Sequence, residues 1–161
     1  MIHHRWSPLN DVFVWLTKIG SHGLVWLVLA LAVSVWRRSA RPFVLTGIAV
    51  LVADGLAGLV KAAVREKRPS EPDALITIPH SHSFPSGHTA TAVAGAIMLS
   101  AFVPRLTPLF VVLAAAVAYS RVYVGVHFPL DIVGGAVIGA VTALLLLAAA
   151  RRRSVRSRLR G

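Results

Sequence analysis

Long apolar stretches alternate with short polar or basic segments along most of this sequence. A helix needs about 20 apolar residues to cross the hydrocarbon core of a bilayer. Five stretches are candidate spans, at residues 24–36, 42–64, 85–102, 109–123 and 128–150, and the first of them needs an additional helical turn at either end to reach that length. The pattern predicts an all-α integral membrane protein, built as a helical bundle with about five transmembrane helices.

The N-terminal segment has a different pattern. Residues 7–19 repeat apolar side chains at helical spacing, but this stretch is too short to span a membrane. Ser7 and Pro8 suit a helix start, and Trp6 and Trp15 suit the headgroup region of a bilayer. We therefore expect a short interfacial helix before the first span, with partial re-entry into the bundle left open as an alternative.

The composition supports a membrane protein and narrows its partners. Hydrophobic residues make up 56% of the chain and charged residues only 14%, which is too apolar for an ordinary soluble domain. The 17 basic and 6 acidic residues include no nucleic-acid-binding motif, so the bilayer explains the basic excess better than nucleic acid does. The absence of cysteine excludes disulfides and thiolate metal sites. We expect one membrane domain over residues 1–150 and a basic cytoplasmic tail over residues 151–161 that lies outside the fold.

The basic residues predict which side of the membrane each loop faces. With five crossings, one face carries ten basic residues and no acid, at positions 37, 38, 41, 105, 151, 152, 153, 156, 158 and 160. The other face carries the polar segment at residues 66–84 and the turn at residues 121–131. Because basic residues in short loops stay in the cytoplasm, we expect the C-terminus to be cytoplasmic and the second face to be external or periplasmic.

Three polar clusters fall on that outer face. In chain order they are Lys61 with Arg68 and Pro69, Ser86 with Gly87 and His88, and Arg121 with His127 and Asp131. Ionisable side chains are costly in hydrocarbon, so those kept beside apolar spans are candidates for a functional site. Fixed cations, a hydroxyl and the amides of a helix start are the groups that bind a phosphate dianion. Two histidines and a carboxylate supply what hydrolysis would need, a nucleophile, an acid and an orienting group.

The spacing of these residues resembles three signatures of the type 2 phosphatidic acid phosphatase (PAP2) superfamily. The signatures are Lys61-x6-Arg68-Pro69, Pro85-Ser86-Gly87-His88 and Ser120-Arg121-x5-His127-x3-Asp131, complete and in order. The resemblance implies a PAP2/haloperoxidase-like helical core in a small bacterial membrane lipid phosphatase similar to undecaprenyl-diphosphate phosphatases. Membrane members usually have six spans, and the short first helix of this chain departs from that pattern.

The resemblance also implies a role for each matched residue. His127 attacks phosphorus to form a phosphohistidine, and Asp131 orients it. His88 protonates the leaving oxygen and then activates water. The phosphoryl oxygens are bound by the remaining matched residues, Lys61, Arg68, Ser86, Gly87 and Arg121. Because these groups stabilise the charge of the transition state, no metal or other cofactor is expected.

The family resemblance favours a polyprenyl diphosphate such as undecaprenyl diphosphate as the substrate, at the outer face of a bacterial plasma membrane. Phosphatidic acid, phosphatidylglycerol phosphate and a polyprenyl-phosphoryl pentose phosphate stay open, and the oligomeric state is not predicted. A non-catalytic lipid-phosphate binder or transporter is an alternative of another class. It is disfavoured because binding alone does not require His88, His127 and Asp131. A vanadate-dependent oxidase is weaker still, because a site that opens toward lipid suits an amphiphile.

Other polar residues near the clusters receive weaker interpretations. Arg65 and Lys67 are expected to be solvated charges at the rim, and Asp54 to be a polar partner within the bundle and not a catalyst. His80 and His82 form a His-x-His pair in a polar loop, where solvation is favoured over metal binding.

Overall fold

Helices make up most of the described chain. The computed structural model describes residues 7–20, 23–69 and 74–158. The helices in these residues are α1 (Ser7–Ile19), α2 (Leu24–Trp36), α3 (Arg41–Val64), α4 (Gly87–Phe102), α5 (Thr107–Tyr123) and α6 (Pro129–Arg158). A 3-10 turn at Pro104–Leu106 joins α4 to α5, and these residues contain no strand. The prediction of an all-α bundle is confirmed, and the helices follow the apolar stretches closely.

Three helices are long and apolar enough to cross a membrane by themselves. They are α3, α5 with the turn before it, and α6. Helices α1 and α2 meet the same criteria only together, as a pair bent at the break between them. Helix α4 is apolar but has only 16 residues. The described helices therefore give three candidate spans, or four if the bent pair counts as one, and the number of five crossings stays a prediction.

Local sequence explains where the helices around the polar clusters begin and end. Ser86 caps α4, since its side chain accepts a hydrogen bond from the amide of Thr89. Pro129 occupies the first position of α6, where its missing N–H costs nothing. Helix α3 ends at Val64, and Arg65 caps it in a left-handed conformation with φ 54°, which places the chain for Arg68 and Pro69. All three boundaries lie beside predicted site residues.

Helix α4 is the centre of the bundle, and it packs against α3, α5 and α6. Small residues make this possible: a Cβ at Gly135 would lie 2.4 Å from Ser86 O, and one at Gly139 would lie 2.3 Å from Ala90 O. The backbones of α4 and α6 are therefore in direct contact. The two glycines of α6 thus pack inside the monomer, against α4.

Helix α1 lies against the end of α5 that carries the third cluster. The ring centroids of Phe13 and Tyr123 are 4.2 Å apart, and Thr17 Oγ1 donates a hydrogen bond of 2.9 Å to Ser120 Oγ. The opposite side of α1 is open, with Trp15 65% exposed. Helix α1 is thus attached to the bundle along one face, and Trp15 points away from it.

The last helix differs from the sequence expectation. Helix α6 continues to Arg158, eight residues beyond the position where we expected the fold to end. Arginine is a good helix former, so a basic segment can extend a helix that the apolar residues before it have already nucleated. At residue 150 the side chains thus change from apolar to basic while the helix continues. The division into a domain and a tail stays a prediction.

Candidate active site

The ends of four helices bring the three clusters together. Helices α3 and α5 end, and α4 and α6 begin, at the same end of the bundle. Hydrogen bonds then tie the connecting segments to one another: Ser86 N donates to Asp131 O at 2.9 Å, and Arg68 Nη1 donates to Val126 O at 2.8 Å. Residues 45 and 58 positions apart in sequence are thereby held within hydrogen-bonding distance, as the joint pattern of motifs predicted.

His127 and Asp131 form the buried pair at the centre of the site. His127 Nδ1 lies 2.8 Å from Asp131 Oδ2, and their relative exposures are 4% and 0%. The spacing of four residues across the start of α6 explains the contact, because the turn at residues 125–128 leads straight into the first helical turn. Among the described residues no ion pair joins Arg121 to Asp131, so the aspartate pairs with the histidine.

The neighbours of His127 fix which ring nitrogen holds the proton. Asp131 accepts at Nδ1, and Arg68 Nη1 lies 3.2 Å from Nε2. Because a guanidinium only donates, Nε2 must present its lone pair, so the neutral ring carries its hydrogen on Nδ1. The nitrogen with the free electron pair is therefore the one turned toward the cations. This is the tautomer that attack through Nε2 on phosphorus requires.

The surroundings of His127 keep the ring neutral. Burial lowers the pKa of His127 to about 4, and the positive charges of Arg68, Arg121 and Lys61 act in the same direction. The hydrogen bond to Asp131 opposes this shift but does not reverse it. At neutral pH the imidazole is consequently unprotonated at Nε2 and able to act as a nucleophile.

Ser83 belongs to the same network, although no sequence pattern indicated it. Ser83 is fully buried, and its Oγ donates a hydrogen bond of 2.5 Å to Asp131 Oδ2. The amide of Phe128 donates to the same oxygen at 2.9 Å, so three donors converge on one carboxylate atom. A lone serine in a loop, two residues before a recognised motif, gives no local signal of such a contact.

Lys61 and Arg68 hold the loop that covers the site. Lys61 Nζ donates to the carbonyl oxygens of His82 and Ser83 at 2.9 and 2.8 Å. Arg68 Nε donates to Ser81 O at 2.7 Å, and its Nη2 donates to Ser81 Oγ at 3.0 Å. Burial lowers the pKa of Arg68, although the group stays a cation at any physiological pH. Both predicted phosphate ligands are thus fixed in position by the main chain of the same loop.

The start of α4 supplies the second cluster. Ser86 is fully buried as the N-cap, and Gly87 and His88 are the first two residues of the helix. A Cβ at Gly87 would lie 3.2 Å from Asp54 Oδ1, which places Asp54 beside this helix start. Asp54 is itself exposed. The unpaired amides of a helix N-terminus form a ready site for an anion.

Arg121 completes the positive lining. Its relative exposure is 3%, and its Nε has no hydrogen-bond partner among the described residues. A buried guanidinium N–H without an acceptor is costly, and an anion entering the site would satisfy it.

The residues with weaker interpretations lie at the edge of the site. Arg65 is exposed and its Nε donates to Ala62 O at 3.1 Å, and Lys67 is also exposed. The side chains of His80 and His82 are exposed as well, and His82 takes part through its carbonyl oxygen. No group of three potential metal ligands occurs within residues 7–20, 23–69 and 74–158.

Comparison with known proteins agrees with this geometry. The family model described as the PAP2 superfamily matches residues 23–154. The decaprenylphosphoryl-5-phosphoribose phosphatase of Mycobacterium tuberculosis is 36% identical over 137 residues, which are 81% of this chain and 75% of that protein. The undecaprenyl-diphosphatase of Sulfolobus acidocaldarius is 30% identical over 148 residues, 89% of this chain and 71% of that protein.

A solved structure has the same fold. The crystal structure of a transmembrane PAP2 type phosphatidylglycerolphosphate phosphatase from Bacillus subtilis superposes with a TM-score of 0.75 and 25% identity, covering 92% of this chain and 79% of that one. The family model, the two relatives and the helical fold thus identify the same family. The chain therefore belongs to the PAP2 superfamily, and it is a multi-pass membrane phosphatase.

Proposed function

We propose that this protein hydrolyses a polyprenyl diphosphate, such as undecaprenyl diphosphate, through a phosphohistidine on His127. The observation that carries the proposal is the position of His127 between Asp131 at Nδ1 and Arg68 at Nε2. Asp131 orients the ring and balances its charge, and Arg68 indicates where an anionic group would lie. A ring held in this way by packing alone would not need a cation at its second nitrogen.

In the first step Nε2 of His127 attacks the terminal phosphorus, and the P–N bond forms as the P–O bond to the leaving phosphate breaks. His88 gives its proton to the leaving oxygen, and Asp131 stabilises the imidazole as it becomes positive. In the second step His88 takes a proton from water, the water oxygen bonds to phosphorus, and the P–N bond breaks. The products are a polyprenyl monophosphate and inorganic phosphate, and His127 returns to its neutral form.

The cations of the site stabilise the charge that spreads over the phosphoryl oxygens. Arg68 exchanges its contact with His127 Nε2 for a phosphoryl oxygen when substrate binds, which also uncovers the nucleophile. Lys61, Arg121, the hydroxyl of Ser86 and the amide of Gly87 bind the other oxygens. Since these groups already supply the positive charge, we propose that the reaction requires no metal.

A second candidate substrate has a specific observation in its favour. The M. tuberculosis relative, at 36% identity, is named for a decaprenylphosphoryl phosphoribose and not for a diphosphate. A polyprenyl-phosphoryl pentose phosphate would present the same terminal phosphate to His127, with a sugar carbon in place of phosphorus on the leaving oxygen. Both candidates share a long prenyl chain.

We place the reaction on the external or periplasmic face of a bacterial plasma membrane, with the C-terminus in the cytoplasm. The support is the charge distribution: within the described residues the end of the bundle opposite the site carries Arg37, Arg38, Arg41, Arg105, Arg151 and Arg152 and no acid. Basic residues of this kind are retained on the cytoplasmic side.

Phosphate release from a panel of detergent-solubilised lipids tests the proposal. The panel contains undecaprenyl diphosphate, a polyprenyl-phosphoryl pentose phosphate, phosphatidic acid and phosphatidylglycerol phosphate, each assayed with and without EDTA. We expect the highest kcat/KM for undecaprenyl diphosphate, and equal rates with the chelator present. A higher kcat/KM for the pentose phosphate would establish the second candidate, and a preference for either diacyl lipid would overturn both.

A further inference from the structure

A deep apolar groove opens on the side of the bundle directly below the candidate active site. Helix α4 packs closely against both α5 and α6, whereas α5 and α6 make few contacts with each other and leave a gap over α4. The gap encloses about 660 Å³, and almost all of its surface is carbon. It lies within the apolar part of the bundle, and none of the residues that we assign to the reaction line it.

The upper end of the groove begins at the catalytic motifs themselves. Thr89 follows His88, Val122 follows Arg121, and Pro129 comes two residues after His127, and all three residues line the groove. Helices α4, α5 and α6, which carry His88, Arg121 and Asp131, thus continue directly into the groove wall. A lipid whose phosphate is bound at His127 would have its hydrocarbon chain at the mouth of this groove.

Small side chains keep the groove open along the helices. Ala96 on α4, Ala115 and Ala118 on α5, and Ala136 on α6 line it where larger residues would fill the gap. From Val122 to Val111 the groove follows α5 for 11 residues, about 17 Å at the rise of an α-helix. That length matches about three isoprene units, because each unit adds four chain bonds of about 1.5 Å.

We propose that this groove, between α5 and α6 with α4 as its floor, binds the first isoprene units of the prenyl chain of the substrate. The inference rests on the proposed function and adds to it the element that recognises the lipid chain. Lipid tails are as apolar as the groove, so its contribution comes from shape and position and not from transfer out of water. It directs the chain away from the site, and so determines how the terminal phosphate meets His127.

Blocking the groove at two depths provides the test. Ala115 is exposed and lies about 10 Å below Val122 along α5, so Ala115→Phe should obstruct the groove beyond about two isoprene units without disturbing a packed core. Val111 is exposed at the far end, so Val111→Trp should obstruct it beyond about three units. Val112→Phe is the matched control, because Val112 is exposed on the same helix but does not line the groove.

The probes are dimethylallyl, farnesyl and undecaprenyl diphosphate, with one, three and eleven isoprene units. We expect Ala115→Phe to lower kcat/KM for the two longer probes by about tenfold or more, because displacing a substrate by about 1 Å can cost that much. Val111→Trp should lower it for undecaprenyl diphosphate alone, and Val112→Phe should leave all three unchanged. Dimethylallyl diphosphate is the internal control, since its hydrolysis by every variant shows that the protein is folded and the catalytic groups are intact.

Each result has a distinct meaning. If wild-type protein hydrolyses undecaprenyl diphosphate and Ala115→Phe does so equally well, the groove holds only bulk lipid and the inference is wrong, while the proposed function stands. If Ala115→Phe also loses the dimethylallyl activity, the length dependence of Val111→Trp decides instead, and equal loss on all three probes would overturn the inference. If wild-type protein releases no phosphate from any prenyl diphosphate, the proposed function and the inference are overturned together.

Discussion

Replacing Ser83 with alanine tests whether a buried serine acts on the nucleophile through Asp131. The substitution removes one oxygen, which is the donor 2.5 Å from Asp131 Oδ2. It keeps both backbone bonds of the residue, from its amide to Glu66 O and from Lys61 Nζ to its carbonyl oxygen. The loop should keep its path for this reason, and the change should be confined to the carboxylate.

The structure sets the size of the effect. Asp131 Oδ2 keeps two donors in the variant, His127 Nδ1 at 2.8 Å and the amide of Phe128 at 2.9 Å, so the carboxylate stays paired. One hydrogen bond to a charged group contributes about 1.5–3 kcal/mol. If the whole of this free energy stabilises the transition state, its loss lowers kcat by about tenfold to about a hundredfold. KM should change little, because the cations that we propose bind the phosphate keep their contacts.

The assay is steady-state phosphate release by purified protein in detergent, for Ser83→Ala, Asp131→Asn and the double variant. A residue that acts only through the aspartate loses its effect once the aspartate is altered, so the two losses should be far from additive. Ser81→Ala is the control, because this exposed hydroxyl contacts Arg68 and not Asp131. It should lower kcat by less than Ser83→Ala does.

Two results would contradict this role of Ser83. If Ser83→Ala has the same kcat as the wild-type protein, His127 and the amide of Phe128 are sufficient to orient Asp131. Additive losses in the double variant, with a matching drop in thermal stability, would mean that Ser83 only supports the loop.

The remaining predictions concern the nucleophile, the pH dependence of stability, inhibition by vanadate and membrane topology. His127→Ala should abolish turnover, and retained turnover would remove the phosphohistidine mechanism. Folding lowers the pKa of His127 from 6.5 to about 4. Between these two pH values the imidazole is therefore protonated in the unfolded chain and neutral in the folded protein. The free energy of unfolding should therefore be highest above pH 6.5 and fall toward pH 4 by up to about 1.4 kcal/mol per pH unit, and His127→Gln should flatten that slope. Vanadate adopts the five-coordinate geometry of phosphoryl transfer and should therefore compete with substrate. EDTA should not lower activity, and a loss that added zinc or magnesium restores would contradict a metal-free reaction. In intact cells whose outer envelope has been made permeable, Thr77→Cys should react with a membrane-impermeant thiol reagent and Arg105→Cys should not. The reverse labelling pattern would invert the proposed topology.

Much of the fold could be predicted because its determinants are local. The apolar stretches set the helices, and their ends lie where proline, Ser86 and the residues before Pro69 and Pro129 place them. The prediction for α6 was too short, since hydropathy ends at residue 150 while helix propensity continues through the arginines. The set of predicted site residues rested on the joint spacing of three motifs, and the structure brings those motifs to one end of the bundle.

The class of protein, the helices and the residue types available for chemistry follow from the order of apolar and polar residues along the chain. Their arrangement depends on how the helices pack: packing makes α4 the central helix, leaves the groove between α5 and α6, and brings Ser83 to Asp131 and Arg68 to His127. The physical reason is that these contacts join residues 48 and 59 positions apart. Helical periodicity reports only neighbours within about four residues, whereas such contacts arise when small residues let whole helices approach.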